Sequence, residues 1–596
     1  MKTTDKNKSS FAEFKTLSSY FYRYRFKYLA GFICLFTVDA AQLLIPQFTK
    51  RAIDIISLGD FSIRSIIKLS ICMVAAMLVI SSGRFLWRLF IHGSSRRIEA
   101  ELRGKLFDHF LILSWDFYQE NKIGDLIARS TNDIGAIRMA IGWGFVAGID
   151  GTVMAIALII VMFFQSWNVA IFAILPLPFI TILIIIFGKA VGKRFVRAQE
   201  AYSGLTETVQ ETFAGSRVIK SFVKEAWFIK KFAGNNDDYR AASMSVVKLH
   251  GFFMPLITFL SGFTSLIVIL VGGRRVVMGL MSAGDLVALF TYVQMLVWPM
   301  LGAGFTVNIV QRGAVSLRRL NEVFNSEPSI KNIVDTKKNI ETPIAKVDSA
   351  ALNIIEIKNL NFAYQKKNIL NEINLSVEQG SWLGILGKTG SGKSTFLKLL
   401  PRLLDPPDAS IFIKGLDIKK WNIGELRSLF GMSPQDSFMF SDSIKSNILY
   451  GTDNKNINIK DIIHLASLER DIEIFNEREN TVIGERGLTL SGGQKQRLSI
   501  ARAAVSNPEI LLLDDSLSAV DAETETKIIK QLEHMRKGKT TIIVSHKVSA
   551  FTNAGKIAVF EDGRIVECGT HEQLLESGGY YAKTAKLQQL AGVIHG

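Results

Sequence analysis

Leu383-Gly-Ile-Leu-Gly-Lys-Thr-Gly-Ser-Gly-Lys-Ser394 decides how the second half of this chain folds. Its first four residues run apolar like a buried strand, and residues 395–400 after it read as a helix. Between them, glycines let backbone N–H groups close around an anion. Lys393 brings a positive charge to the outer phosphates of a nucleotide, and the Ser394 hydroxyl is suited to Mg²⁺. Strand, loop and helix stand in the order this loop requires. Gly387, Lys388, Thr389, Gly390, Ser391, Gly392, Lys393, Ser394 and Thr395 are therefore expected to hold ATP.

Two further stretches complete that reading. Residues 510–513 are four aliphatics ending on Asp514 and Asp515, the pattern of a buried parallel strand that delivers carboxylates to the phosphate end of its sheet. Asp514 is the candidate for Mg²⁺, directly or through water, and Asp515 is placed to face the attacking water. Between the two strands stands Leu490-Ser-Gly-Gly-Gln494, followed by a helical run. A Ser-Gly-Gly turn opening a helix is itself an anion site. One nucleotide does not need two such sites in one chain. Ser491, Gly492, Gly493 and Gln494 are therefore expected to cap the γ-phosphate of ATP held by another subunit.

The other half is of a different kind. The chain has 596 residues, 48% of them hydrophobic, and the apolar ones concentrate as long runs before residue 310. Six runs approach or exceed the ~20 residues that cross a bilayer as helix: 28–48, 67–90, 139–166, 169–191, 252–278 and 286–309. The aromatic and basic stretch 11–25 suits a helix lying in the membrane interface. Only Trp167 and Asn168 separate the third and fourth runs. The connections after the second and fourth are long and carry Arg96, Arg97, Arg103, Lys105, Lys193, Arg194, Arg197, Lys230 and Lys231. By the positive-inside rule these connections are cytoplasmic, and with six spans both termini are too. The same rule accounts for the net charge of +16; no basic recognition motif accompanies it, which excludes a nucleic-acid partner. Three cysteines, Cys34, Cys72 and Cys568, form neither a metal spacing nor a disulfide framework. Asp39, Arg84, Arg88 and Asp150 sit within or near spans, where a charge must face a cavity or another charge.

With these motifs in place, the chain resembles the ATP-binding cassette transporters over nearly its whole length. Its order, spans first and cassette second, is similar to an exporter half-transporter, and the wording around Trp298-Pro-Met300 and 308–319 resembles the multidrug-resistance-like MdlA branch. The resemblance implies an all-α six-helix transmembrane domain fused to an α/β P-loop ATPase domain. Its parts would be an elbow helix at 1–27, spans and long loops at 28–321, a linker at 322–353 and the nucleotide-binding domain at 354–596. It also implies that Tyr364 stacks on adenine and that Gln435 lies near Mg²⁺ and the attacking water. Asp521 would belong to a loop crossing the dimer interface, and His546 would contact the γ-phosphate. Gly484-Glu-Arg-Gly487 would touch the membrane domain, and coupling helices are expected at 115–119 and 212–221, the first on its own cassette and the second on the partner's. The implied setting is a bacterial cytoplasmic membrane, and the implied activity is ATP-driven export of a small molecule.

One position departs from the family pattern. Asp515 stands where the family usually has Glu, and one methylene less withdraws the carboxylate by about 1.5 Å. Water activation needs a reach of about 2.6–3.2 Å. This chain is accordingly expected to bind ATP but hydrolyse it poorly, as one member of a heterodimer whose partner carries Glu. The alternatives are an allosteric ATP-binding subunit, a homodimeric exporter in which Asp515 suffices, and an ATP-gated channel or receptor.

Overall fold

The structure is a computed structural model that describes residues 13–57, 63–331, 353–364, 367–454, 456–484 and 490–594. Most of the expected linker, the first twelve residues and 485–487 of the Gly484–Gly487 segment lie outside the described residues. The chain divides into two compact units, one of Met1–Ile112 with Asn121–Glu327 and the other of Leu113–Glu120 with Pro328–Gly596.

The first unit is helical. Its principal helices are α1 (Ser18–Ser57), α2 (Ile63–Trp87) and α3 (Gly93–Ile112), then α5 (Phe145–Ile174), α6 (Pro176–Ala214), α7 (Glu225–Val277) and α8 (Ala283–Phe324). The short α4 (Trp115–Glu120) belongs to the other unit. Helical backbone in α1 runs without a break through the boundary expected at residue 27. Among the described residues, four helical stretches are long and apolar enough to cross a membrane: Phe14–Ser57, Ile63–Ile112, Ile123–Ile174 and Glu225–Val277. Ser166, with φ −163° and ψ 101°, bends the chain inside α5, beside the turn read at Trp167 and Asn168. A short helix, Ser216–Ser221, falls in the second expected coupling segment, and α4 in the first.

Close approach of helices depends on small residues. A side chain at Gly83 on α2 would place its Cβ 2.5 Å from Val38 of α1. Further along, Leu158, Val268, Leu289 and Val293 bury the contact of α5, α7 and α8. Polar groups in this packing find one another, as apolar surroundings require. Gln47 donates to Gln165 at 2.8 Å and to the Tyr292 hydroxyl at 3.0 Å, and Tyr292 donates to the Leu43 carbonyl at 2.8 Å.

The second unit is built on two sheets. The strands are β1 (Asn353–Tyr364), β2 (Lys367–Glu378), β3 (Trp382–Gly387), β4 (Ile411–Ile413), β5 (Leu416–Asp417), β6 (Phe430–Ser433), β7 (Ile510–Asp514), β8 (Thr540–Val544), β9 (Lys556–Glu561) and β10 (Arg564–Gly569). An antiparallel sheet runs β2-β1-β4-β5. The central sheet runs β10-β9-β3-β8-β7-β6, parallel except for the β9–β10 hairpin. Every residue of β7 and β8 is buried, because the central strands are covered on both faces. Leu512, Ile542 and Val544 pack with Phe396 and the antiparallel sheet; Leu511, Leu513 and Ile543 pack the opposite face with Ile500, Ile528 and Leu532. The functional consequence is topological. β3, β8, β7 and β6 are parallel neighbours, so the loops leaving their carboxyl ends open on one edge of the sheet.

Candidate nucleotide site

Four such loops build one site. β3 leads through Gly387–Gly392 into α9 (Lys393–Leu399), β7 ends on Asp514, β8 leads to His546, and β6 leads to Gln435. Together they wall a cavity of about 330 Å³ lined by Thr389, Gly390, Gly392, Lys393, Ser394, Thr395, Gln435, Asp514, Asp515 and His546, with Lys367 and Ile369 from β2.

The phosphate loop has a shape only glycine tolerates at two places. Gly392 has φ +98°, and a Cβ there would lie 2.7 Å from Leu370. At Gly387, with φ +159°, a Cβ would strike the Phe560 carbonyl. Inside this turn the Lys393 ammonium donates to the carbonyls of Gly387 at 2.8 Å and Lys388 at 2.7 Å. Burial lowers the Lys393 pKa, opposed by the carboxylates of Asp514 and Asp515. Lys388 points elsewhere and pairs with Glu561 at 2.7 Å.

The metal-binding expectation has a geometric counterpart. Ser394 donates to Asp514 Oδ1 at 3.0 Å, so a hydroxyl and a carboxylate meet at the mouth of the loop. Burial raises the Asp514 pKa above the ordinary carboxylate value, while Ser394, Lys398 and Lys393 pull it back. A buried carboxylate with a hydroxyl beside it and a third oxygen donor, Gln435, on the same cavity fits a hard, oxygen-seeking cation.

Asp515 follows the strand in the left-handed region, with φ +49°. Asp is among the few non-glycine residues enriched there. Its backbone is held on both sides: the N–H donates to Val544 O at 3.0 Å, and the carbonyl accepts from Ser518 Oγ at 2.9 Å and Gln496 Nε2 at 3.4 Å.

The remaining expected residues stand apart from this cavity. Tyr364 ends β1 with its ring edge-on to Phe362, 5.3 Å between centroids, and is not among the lining residues. Ser491 caps α10 (Gly492–Ala504): its hydroxyl accepts from Gln494 N at 3.3 Å, while Gln494 Oε1 accepts from Ser491 N at 2.8 Å. Gln494 also donates to Asp471 at 2.8 Å. Asp521 caps α11 (Ala522–Met535) by accepting from Thr524 N at 2.9 Å, which holds its carboxyl below the usual range. Ser491–Gln494 and Asp521 are thus displayed at helix starts, outside the wall of the phosphate cavity.

Sequence reasoning missed the residues that tie these loops to one another. Gln496 donates to Ser518 at 2.9 Å and accepts from Ala519 N at 2.8 Å. Ser516 donates to Ser433 O at 3.0 Å, and Ser433 to Ser499 at 2.9 Å. Glu525, buried in α11, receives Lys547 at 2.6 Å and Ser549 at 3.3 Å, and Lys547 also reaches Val520 O at 3.1 Å. These are contacts between loops distant in sequence, and no local pattern announces them.

In the helical unit, Asp39 is 5% exposed, and its carboxyl lies beside that of Asp150 between α1 and α5, with the Arg84 guanidinium near enough to act on both. Arg84 lines a different cavity of about 400 Å³ with Gln42, Ser81, Thr291 and apolar neighbours. Arg88 lies over the Trp87 ring at 5.7 Å.

Comparison with known proteins agrees with this architecture. A family model for the ABC transporter transmembrane region matches residues 28–300, and one for the ABC transporter matches 370–518. The chain is 36% identical, over 97% of its length and 98% of the relative, to a probable multidrug resistance ABC transporter ATP-binding/permease protein, YheI, of Bacillus subtilis. It is 33% identical to the multidrug resistance-like ATP-binding protein MdlA of Escherichia coli, over 98% of this chain and 97% of that one. Its fold is similar to that of a bacterial Atm1-family ABC exporter solved with ATP bound: TM-score 0.75, 23% identity, 95% of this chain and 99% of that one.

Proposed function

The chain belongs to the ATP-binding cassette (ABC) transporter family, and from that premise we propose that it is one half of a heterodimeric exporter that moves small amphipathic, drug-like or lipid-like molecules out of the cell by alternating access. Its ATPase domain couples hydrolysis to translocation, as the family does. The observation that carries the reading is a separation. Lys393, Ser394, Gln435, Asp514, Asp515 and His546 share one cavity, and the Ser491–Gln494 cap does not join them. A second chain then completes each site: the phosphate loop of one subunit grips ATP and the Ser-Gly-Gly cap of the other closes over the γ-phosphate.

Within that frame each side chain has a task. Lys393 and the loop N–H groups balance the charge of the phosphates. Ser394, Gln435 and Asp514 would hold Mg²⁺, which when bound would spread the charge of the transferred phosphoryl group. His546 donates to the γ-phosphate, and Asp515 accepts a proton from the attacking water. Asp515 does the last task poorly for want of reach, so the faster hydrolysis belongs to the site whose carboxylate is the partner's. Closure of the cassettes passes through α4 and Ser216–Ser221 to six spans with cytoplasmic termini. The relatives named for multidrug resistance support the substrate class.

The test has two arms. Inverted vesicles holding the assembled transporter should concentrate a fluorescent amphipathic dye against its gradient when ATP is added; downhill flux alone rules out a pump. Asp515→Asn should remove a small part of the ATPase rate, and Glu→Gln at the partner's equivalent position nearly all of it. Equal losses contradict the asymmetry.

A further inference from the structure

The loop that carries His546 is held from outside by a residue in none of the nucleotide motifs. Gln588 lies on the C-terminal helix α12 (Tyr580–Ile594). Its Nε2 donates to His546 O at 2.6 Å and its Oε1 accepts from Val548 N at 2.8 Å. One carboxamide therefore brackets the backbone on both sides of Lys547. The helix that presents it is itself anchored. Tyr581 is fully buried, its hydroxyl is 2.7 Å from His571 Nδ1, and Ala585 packs on the cluster that contains Val548 and Phe551. On the other flank, Lys547 is tied to the buried Glu525 and to Val520 O. His546 is thus the exposed tip of a segment clamped by α11 on one side and α12 on the other, and it projects into the phosphate cavity.

We propose that Gln588 is a positioning residue for His546, so that the preference of this cassette for ATP over ADP depends on the C-terminal helix. The inference rests on the reading of His546 as a γ-phosphate contact. The physical requirement is a side chain with one donor and one acceptor at glutamine's length. Glutamate keeps only acceptors, so it retains the bond to Val548 N–H and sets a carboxylate against the His546 carbonyl. Alanine loses both bonds. ADP has no γ-phosphate, so displacement of His546 weakens ATP and leaves ADP unaffected.

The experiment uses the full transporter in membranes and photolabels this chain with 8-azido-ATP at low temperature, with ATP and ADP as competitors. The readout comes from this chain alone, whatever its partner binds. In Gln588→Ala and Gln588→Glu, the ratio of ADP to ATP dissociation constants should fall about three- to tenfold, the range expected for one or two part-exposed hydrogen bonds. ADP affinity should stay within twofold of wild type. His546→Ala should lower the ratio as far, and the double variant His546→Ala with Gln588→Ala no further. Equal weakening of both nucleotides means a structural role only and overturns the proposal, as does an unchanged ratio in both Gln588 variants while His546→Ala lowers it. If His546→Ala itself leaves the ratio unchanged, the underlying reading of His546 fails and the proposal falls with it.

Discussion

Replacing Asp515 with Glu should turn a slow site into a fast one. The backbone at 515 is pinned by Val544 O at 3.0 Å and Ser518 Oγ at 2.9 Å, so the chain cannot slide forward to make up for a short side chain. The missing methylene leaves the carboxylate about 1.5 Å short. A misplacement of 1 Å costs about 100-fold in rate, which is about 2.7 kcal/mol of activation free energy. Asp515→Glu should therefore raise hydrolysis at this site by up to about 100-fold. The gain has a cost in stability. Residue 515 sits at φ +49°, a region Asp tolerates better than Glu, so the variant should lose about 1 kcal/mol of folding stability. The assay is steady-state phosphate release from the assembled transporter, with the partner's catalytic Glu changed to Gln so that only this site turns over. Thermal unfolding runs in parallel. A rate within twofold of the parent would refute the argument from reach, and so would wild-type-like turnover by the parent in that silenced background.

Three other outcomes follow from the same geometry. Lys393→Ala removes the ammonium that Gly387 and Lys388 carbonyls hold within 2.8 Å, and should weaken ATP binding roughly ten- to hundredfold by loss of charge-assisted bonds, read by photolabelling. Glu525→Ala leaves Lys547 without its buried partner; with Lys547 37% exposed, water takes up the freed ammonium and the loss should be about 1–2 kcal/mol, visible as a lower melting temperature of the cassette. Glu525→Gln should lose less, because the amide oxygen still accepts. Gly387→Ala drives a methyl group into the Phe560 carbonyl, and should cost about 1–3 kcal/mol of stability and abolish ATP labelling, since relieving that clash shifts residue 387, whose own carbonyl Lys393 uses.

The sequence by itself determined the local machinery. The strand–loop–helix at 383–400, the aliphatic run into Asp514 and the Ser-Gly-Gly helix start are short-range patterns, and each appears as β3 with α9, as β7 and as α10. Local patterns are legible because periodicity and glycine placement act over a few residues. Gln435 and His546 were placed by family resemblance alone. Only the tertiary structure, through the order β3-β8-β7-β6, explains why residues 120 and more apart in the chain meet Ser394 in one cavity. Tertiary structure likewise decided what holds those loops. Glu525 under Lys547, Gln496 under Ser518 and Gln588 around His546 are single polar residues on otherwise ordinary helices. Their partners are chosen by strand order and helix docking, and no spacing along the chain encodes that choice. The same holds for Asp39 and Asp150. The sequence asks each to face a cavity or another charge without saying which, and packing of α1 against α5 brings the two together near Arg84.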